Sequence, residues 1–141
     1  MLLDANLLLY AVDRAAKEHR AAADWLEQVL NGSRRVAIPW QTIGAFLRIA
    51  THPRVTTNPL TGPQAWSFVD DWLAADPAWI PPATERTAAV LGELMAEVRP
   101  TGNLVPDAQL AALAVEHGLT IMTADTDFAR FPGVDFDNPL R

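Results

Sequence analysis

Four aspartates of this chain stand beside short apolar runs or at the start of a helical segment. Asp4 ends an apolar run near the N-terminus, and Asp125 and Asp127 follow a second run far along the chain. Asp107 opens an alanine-rich segment between them. Carboxylate oxygens are the ligands that hard divalent cations prefer, and several carboxylates in one cleft repel one another unless a cation neutralises them. Together they predict a Mg²⁺ or Mn²⁺ site.

Each of these aspartates also has an ordinary structural explanation. Asp107 in the first turn of a helix interacts favourably with the helix dipole, and Asp125 and Asp127 flank a tight turn, where aspartate is common. Asp4 differs because it is embedded among leucines at a strand end, where an uncompensated carboxylate is costly. The combination, rather than any single residue, indicates a cation site. A dication held there could activate a water and stabilise charge on a phosphodiester, so the hypothesis is metal-dependent phosphodiester hydrolysis.

The elements that must position these residues alternate between strands and helices. Strands are predicted at residues 2–4, 36–38, 79–80, 119–123 and 134–136. Helices are predicted at residues 5–12, 18–30, 41–51, 64–75, 85–98 and 104–117, with a helical turn at 127–130. This alternation predicts an α/β fold, a three-layer α/β/α sandwich with a mostly parallel sheet of four or five strands, in a single domain of residues 1–141. In a doubly wound order the first and fourth strands are neighbours at the switch point, where ligands bind.

Composition limits the classes of function. The 141 residues include no cysteine, which excludes thiolate metal sites, disulfides and cysteine nucleophiles. The net charge is −6, and an acidic protein is a poor non-specific binder of phosphate backbones. A role with nucleic acid would therefore work through bound metal ions and a few placed arginines. The apolar N-terminus carries Asp4 in its middle and no basic flank, and no other stretch approaches a membrane span, so we expect a soluble, cytoplasmic protein.

Other α/β sites are not indicated by the sequence. No glycine-rich dinucleotide or P-loop motif follows any predicted strand, and no Gly-x-Ser-x-Gly elbow is present. A receiver domain would need a late lysine, but the only lysine is Lys17. A phosphatase of the haloacid dehalogenase type would need a second aspartate where Asn6 stands. A Mg²⁺-dependent phosphatase acting on small substrates is disfavoured for lack of a phosphate-binding glycine loop after the first strand.

The sequence resembles PIN domains, and more narrowly the VapC-type toxins of toxin–antitoxin pairs. The resemblance covers nearly the whole chain and is carried by motifs in a fixed order. They are Leu3-Asp4-Ala5-Asn6, Ile38-Pro39-Trp40, the segments 45–53 and 105–118, and the segment 120–128, which ends Thr123-Ala-Asp125-Thr-Asp127-Phe128. Each motif alone is a weak signal, and their combination is strong.

The resemblance implies a ribonuclease that uses Mg²⁺ or Mn²⁺ to cut cellular RNA and arrest growth. Asp4 and Asp107 match the principal metal ligands of the family, and Asp125 and Asp127 match its final acidic pair. Asp4, Asp107 and Asp125 are accordingly the expected catalytic residues. Asn6 and Thr123 match polar residues that orient the ligands. Toxins of this type usually form homodimers, are inhibited by a cognate VapB-type antitoxin whose peptide crosses the active-site groove, and reach operator DNA only through that antitoxin.

One position departs from the family pattern. Most PIN domains carry a glutamate on the helix after the second strand, where this chain has Ala45. The site would then have one ligand fewer, which leaves a second hypothesis open: a PIN-like module that binds RNA or a protein without cutting. Arg48, one turn further on, could approach a scissile phosphate or an antitoxin carboxylate, or could be a solvated helix residue.

Overall fold

Five short parallel strands form the central sheet of the computed structural model, which describes residues 1–141. The strands are β1 (Leu2–Leu3), β2 (Val36–Ala37), β3 (Ala78–Trp79), β4 (Ile121–Met122) and β5 (Phe136–Asp137). Their order across the sheet is β3-β2-β1-β4-β5, and every neighbouring pair is parallel. Leu2 of β1 is in register with Ala37 of β2 and with Ile121 of β4.

Six helices cover the two faces of this sheet. They are α1 (Ala5–Val12), α2 (His19–Leu30), α3 (Trp40–Ala50), α4 (Gly62–Ala74), α5 (Glu85–Val98) and α6 (Leu104–His117), and a 3-10 turn spans Asp127–Arg130. The predicted three-layer α/β/α sandwich is confirmed, and the sheet has the upper number of strands expected. No helix is long and apolar enough to cross a membrane.

Two apolar clusters, one on each face of the sheet, form the core. Leu2 and Ile121 face the cluster built with α5, α6 and Phe128. Leu3 and Val36 face the cluster built with α1, α2, α3 and α4, in which Phe46 is fully buried. Because both faces of the strands are covered, their residues read as continuous apolar runs rather than as an alternating pattern.

The observed strands differ from the predicted ones in length and position. β1 ends at Leu3 because Asp4 already caps α1, and its carboxylate accepts a hydrogen bond from the backbone N–H of Ala5 at 2.8 Å. β2 ends at Ala37, shortly before Pro39, which lacks an N–H. β3 lies slightly earlier in the chain than predicted and β5 slightly later, while β4 keeps only the centre of its predicted run.

The helix boundaries agree closely with the predicted ones. The largest difference is at α4, which begins at Gly62 rather than at residue 64. Thr61 caps this helix and forms a capping box with Gln64, so the cap lies before the predicted start. Helices α1, α5 and α6 have the predicted bounds.

Candidate metal centre

Asp4 occupies the junction between β1 and α1. Its backbone N–H donates to the carbonyl oxygen of Met122 in β4, at 3.0 Å, which fixes the residue against the neighbouring strand. One carboxylate oxygen accepts the N–H of Ala5 and the other accepts the hydroxyl of Thr123 at 2.9 Å. The strand order therefore brings together residues that are 119 positions apart in the chain.

Asn6 and Thr123 form a polar network around Asp4. The side-chain amide nitrogen of Asn6 lies 3.1 Å from the Thr123 hydroxyl oxygen and 3.4 Å from the Asp4 carboxylate, and its side-chain oxygen accepts the N–H of Ala124. Thr123 is fully buried, and its hydroxyl also accepts the N–H of Asp125. These bonds tie the carboxyl end of β4 to the start of α1 and restrict the orientation of Asp4.

Three of the four predicted carboxylates converge beside this network. Asp107, Asp125 and Asp127 each offer an oxygen atom, and these atoms lie within 4.8 Å of one another. The N–H of Asp127 donates to the carboxylate of Asp125 at 3.0 Å, which holds the turn between them. Asp4 lies next to this group rather than within it, and its two oxygens accept hydrogen bonds from Ala5, Asn6 and Thr123.

Burial and the neighbouring negative charges both raise the pKa of Asp107. Burial raises the pKa of this carboxyl to about 7, with further contributions from the negative charges of Asp4, Asp125 and Asp127. Burial also raises the pKa of Asp4, against the opposing effect of hydrogen bonds from Thr123 and Ala5. Protons therefore compete with cations for this cluster.

The donor set of the cluster matches a hard divalent cation. All the converging side chains are carboxylates, with no imidazole or thiolate among them, and oxygen-only sets favour Mg²⁺, Mn²⁺ or Ca²⁺ over softer metals. The half-buried oxygens remain open to a ligand. The residues present therefore fit the group that the sequence predicted, with Asp107, Asp125 and Asp127 forming the tightest part of the cluster.

Comparisons with known proteins identify the family to which this chain belongs. The PIN domain family matches residues 1–134 of this chain. Ribonuclease VapC37 of Mycobacterium tuberculosis (strain ATCC 25618 / H37Rv) is 43% identical over 138 residues, which cover 98% of this chain and 96% of that protein. This chain belongs to the PIN domain family. The predicted resemblance to VapC-type proteins is therefore confirmed.

Two further relatives extend the comparison of this PIN domain. Ribonuclease VapC33 of the same strain is 36% identical over 138 residues, covering 98% of this chain and 96% of that protein. The crystal structure of VapBC2 from Rickettsia felis, bound to a promoter DNA fragment, contains a chain of similar fold. Its TM-score to this chain is 0.71 and its sequence identity is 20%. The match covers 97% of this chain and 96% of that chain, and at this identity it shows the fold.

The PIN domain of this chain has no acidic residue on α3. Ala45, at the position where the resemblance places a glutamate, is half-buried, and Arg48 is exposed in the last turn of the helix. Thr42 on the same helix is buried, and its hydroxyl donates to the carbonyl oxygen of Leu3 at 2.7 Å. This contact was not predicted from the sequence, although Pro39 beside a predicted strand lacks an N–H that another donor had to replace.

A cavity of about 410 Å³ lies away from the acidic cluster of the PIN domain, between the ends of α1 and α3 and the loop that follows α3. Its lining is mainly apolar and includes Leu9, Ile49 and Leu60, but none of the four candidate aspartates. The acidic edge of the sheet, rather than this cavity, is therefore the candidate site.

Proposed function

We propose that this protein is a metal-dependent endoribonuclease that acts as the toxin of a type II toxin–antitoxin pair. The observation that carries the proposal is the convergence of Asp107, Asp125 and Asp127 to within 4.8 Å beside Asp4. This arrangement lies at the carboxyl edge of a parallel sheet, between adjacent strands β1 and β4, in a chain whose 43% identical relative is named a ribonuclease. The proposed unit is one domain that spans residues 1–141.

The four aspartates have separate tasks in this proposal. Asp107, Asp125 and Asp127 provide the oxygens that hold Mg²⁺ or Mn²⁺, and Asp4 completes the ligand set from the end of β1. A cation bound there lowers the pKa of a water and stabilises negative charge on the phosphodiester. Asp4, Asp107 and Asp125 are the proposed catalytic residues. The chain supplies no cysteine, and the proposal needs no side-chain nucleophile.

Asn6 and Thr123 act as positioning residues for Asp4. Each contacts its carboxylate, and the hydroxyl of Thr123 at the same time accepts the N–H of Asp125. A single buried hydroxyl thereby sets the separation of two acidic residues that arise from opposite ends of the chain. Outer partners of this kind typically contribute 10–100-fold to metal affinity or activity.

The proposed partners follow from the same assignment. RNA is the substrate, a VapB-type antitoxin is the inhibitor, a second copy of the chain completes a homodimer, and operator DNA is reached only through the antitoxin. The similarity of the fold to VapBC2 from Rickettsia felis, which was crystallised with a promoter DNA fragment, supports the antitoxin and operator DNA among these partners. Co-expression with the product of a neighbouring short reading frame should yield a co-purifying complex without nuclease activity.

Cleavage of a labelled single-stranded RNA by the full chain, with added Mg²⁺ or Mn²⁺, tests the proposal. Asp4→Asn and Asp107→Asn should each reduce the cleavage rate by more than about 100-fold, beyond the loss typical of an outer partner. Asp70→Asn, an exposed change on α4, is the matched control and should cleave normally. Calorimetric titration with Mn²⁺ provides a second readout, in which Asp107→Asn should weaken binding and Asp70→Asn should not.

Undiminished cleavage by Asp4→Asn or by Asp107→Asn would remove this site from consideration. RNA binding without metal-dependent cleavage by the wild-type chain would instead favour the non-cleaving module. That alternative is not favoured at present, because relatives that are 36% and 43% identical over nearly the whole chain are named ribonucleases.

A further inference from the structure

Helix α3 presents one exposed stripe to solvent. Its exposed residues are Trp40, Gly44 and Arg48, which are spaced by four and therefore follow one side of the helix. Trp40 is 60% exposed, and a Cβ placed on Gly44 would meet no atom within 4 Å. By the helical rise the stripe is about 12 Å long. An exposed tryptophan, an open glycine and an arginine thus lie in a row.

The stripe begins at the acidic edge of the sheet. Trp40 is the first residue of α3, which starts just after β2 ends at the carboxyl edge. Two residues on, Thr42 donates its hydroxyl to Leu3, and Leu3 directly precedes Asp4. Trp40 therefore stands at the same edge as the candidate metal centre, and Arg48 lies farther along the helix.

The segment of the chain that contains α3 carries a charge opposite to that of the protein as a whole. The protein carries a net charge of −6, yet residues 28–69 contain no aspartate or glutamate and four arginines. Two of them, Arg34 and Arg35, precede β2 at the opposite edge of the sheet, where Arg35 stacks over Trp79 at 4.3 Å. Arg48 and Arg54 are exposed on α3 and on the loop after it. Helix α3 itself therefore carries no acidic side chain, although it begins at the edge where the carboxylates converge.

We propose that the exposed stripe of α3 is the path by which single-stranded RNA reaches the acidic centre, with Trp40 stacking on a base and Arg48 pairing with a phosphate. This inference rests on the proposed nuclease function and assigns the substrate a route. Single-stranded RNA is bound by aromatic side chains that stack on its bases and by cations that follow its backbone. The open surface at Gly44 lets the strand approach the helix between those two contacts.

The proposed RNA path also gives a physical reason why residue 45 of this helix is alanine rather than glutamate. A glutamate there would place a negative charge beside Arg48, within one turn, and would repel a phosphate backbone. Without it, the only charged side chain of α3 is Arg48. In an acidic protein, the absence of acids from α3 reduces the repulsion that a phosphate backbone meets along this helix.

Binding of a short, unstructured, fluorescein-labelled RNA to the full chain in EDTA tests the path without cleavage. Trp40→Ala should weaken binding at least about fivefold, whereas Trp40→Phe, which keeps an aromatic face, should retain most of the affinity. Arg48→Ala should weaken binding and reduce the slope of log K against log salt by about 0.7, whereas Arg48→Lys should retain the slope.

Two matched controls separate the path from general effects. Trp66→Ala removes an exposed tryptophan from α4, and Arg20→Ala removes an exposed arginine from α2. Both should bind the RNA like the wild type. Replacing single nucleotides of the RNA by abasic residues should lower wild-type affinity at one position and leave the affinity of Trp40→Ala unchanged at that position.

The results of these experiments distinguish failure of the proposed RNA path from failure of the proposed nuclease function. If Trp40→Ala and Arg48→Ala bind RNA like the wild type while metal-dependent cleavage persists, the path is wrong and the nuclease stands. If Trp40→Ala loses affinity only together with a change in oligomeric state, measured by sedimentation, the stripe is an interface between copies and the path is again overturned. A wild-type chain that binds no RNA in EDTA also overturns the path, and one that never cleaves with metal overturns the proposed function.

Discussion

The hydroxyl of Thr42 donates to the carbonyl oxygen of Leu3 at 2.7 Å, at the point where the β1–β2 ladder would otherwise lack a donor. In that ladder the N–H of Ala37 donates to the carbonyl oxygen of Met1. Two residues further along each strand the corresponding pair is Pro39 and Leu3, and proline has no N–H. Thr42 replaces the missing bond, and so joins α3 to the residue that precedes Asp4.

Replacing Thr42 by valine should destabilise the protein by about 1–3 kcal/mol, because the buried carbonyl of Leu3 loses its donor while the volume of the side chain is kept. Urea unfolding followed by circular dichroism measures this difference. Thr42→Ser keeps the hydroxyl and should lie closer to the wild type. The valine variant should also cleave RNA more slowly at saturating substrate, since the tether positions Asp4. A valine variant with wild-type stability would contradict the role assigned to this bond.

The raised pKa of Asp107 predicts that metal binding depends on pH. The carboxyl has a pKa of about 7 without metal, and it must lose its proton before it can bind a cation. Affinity for Mn²⁺, measured by calorimetry, should therefore increase as the pH rises through about 7 and level off above it. An Mn²⁺ affinity that stays constant between about pH 6 and about pH 8 would contradict the prediction.

The same pKa makes a prediction for stability in EDTA. The ordinary pKa of this carboxyl is 3.8, and in the folded state it is raised to about 7. Between these two pH values the folded protein therefore keeps the proton, whereas the unfolded chain has lost it. The free energy of unfolding therefore falls as the pH rises from about 4 to about 7. Asp107→Asn removes this loss, so its melting temperature should exceed that of the wild type at about pH 8 and approach it near pH 4. Asp70→Asn is the control without this effect.

Introducing an acid on α3 tests the departure from the family pattern. Ala45 lies one turn beyond Thr42, which is bonded to Leu3 at the acidic edge, so a glutamate at this position would point its charge towards the same region. Ala45→Glu should tighten Mn²⁺ binding by about tenfold. It should also weaken RNA binding in EDTA, because it adds a negative charge beside Arg48. Ala45→Gln is the uncharged control. It should neither tighten Mn²⁺ binding nor weaken RNA binding.

Glu116 provides a prediction away from the site. Its carboxylate accepts hydrogen bonds from the hydroxyls of Thr84 and Thr87, and these bonds hold its pKa below the ordinary value of 4.5. Because this pKa is lowered on folding, the ionised carboxylate stabilises the folded state above pH 4.5, and this stabilisation is lost as the pH falls further. Glu116→Gln should lower the melting temperature at neutral pH, approach the wild type in acid, and leave RNA cleavage unchanged. Glu93→Gln, an exposed change on α5, is the control.

The sequence predicted the fold because its signals are local and agree with one another. Caps such as Asp4 and Thr84, the glycine C-cap of α6 and the apolar runs between them determine where elements begin and end. The parallel arrangement followed from the alternation of strands and helices. The strand lengths could not be predicted, since the ladder stops where a cap or a proline removes a partner, and that depends on the neighbouring strand rather than on the run itself.

The sequence predicted which residues form the candidate site, but not which of the four aspartates lie closest together. Asp107, Asp125 and Asp127 converge as expected, yet Asp4 lies beside this group, and its two oxygens are engaged by Ala5 and Thr123. Neither this engagement nor the exposure of Trp40 leaves a signal in the spacing of residues. Both depend on how α1 and α3 leave the ends of adjacent strands, which is a property of the assembled sheet.

The bond between Asp4 and Thr123 closes a loop of 119 positions, so the intervening residues must all be present before the acidic centre exists. Closing so long a loop is entropically costly and has to be compensated by the packing of both core clusters. It follows that a chain still emerging from the ribosome carries no assembled centre. An enzyme built in this way gains its acidic centre only after the segment that carries Asp125 and Asp127 has been synthesised.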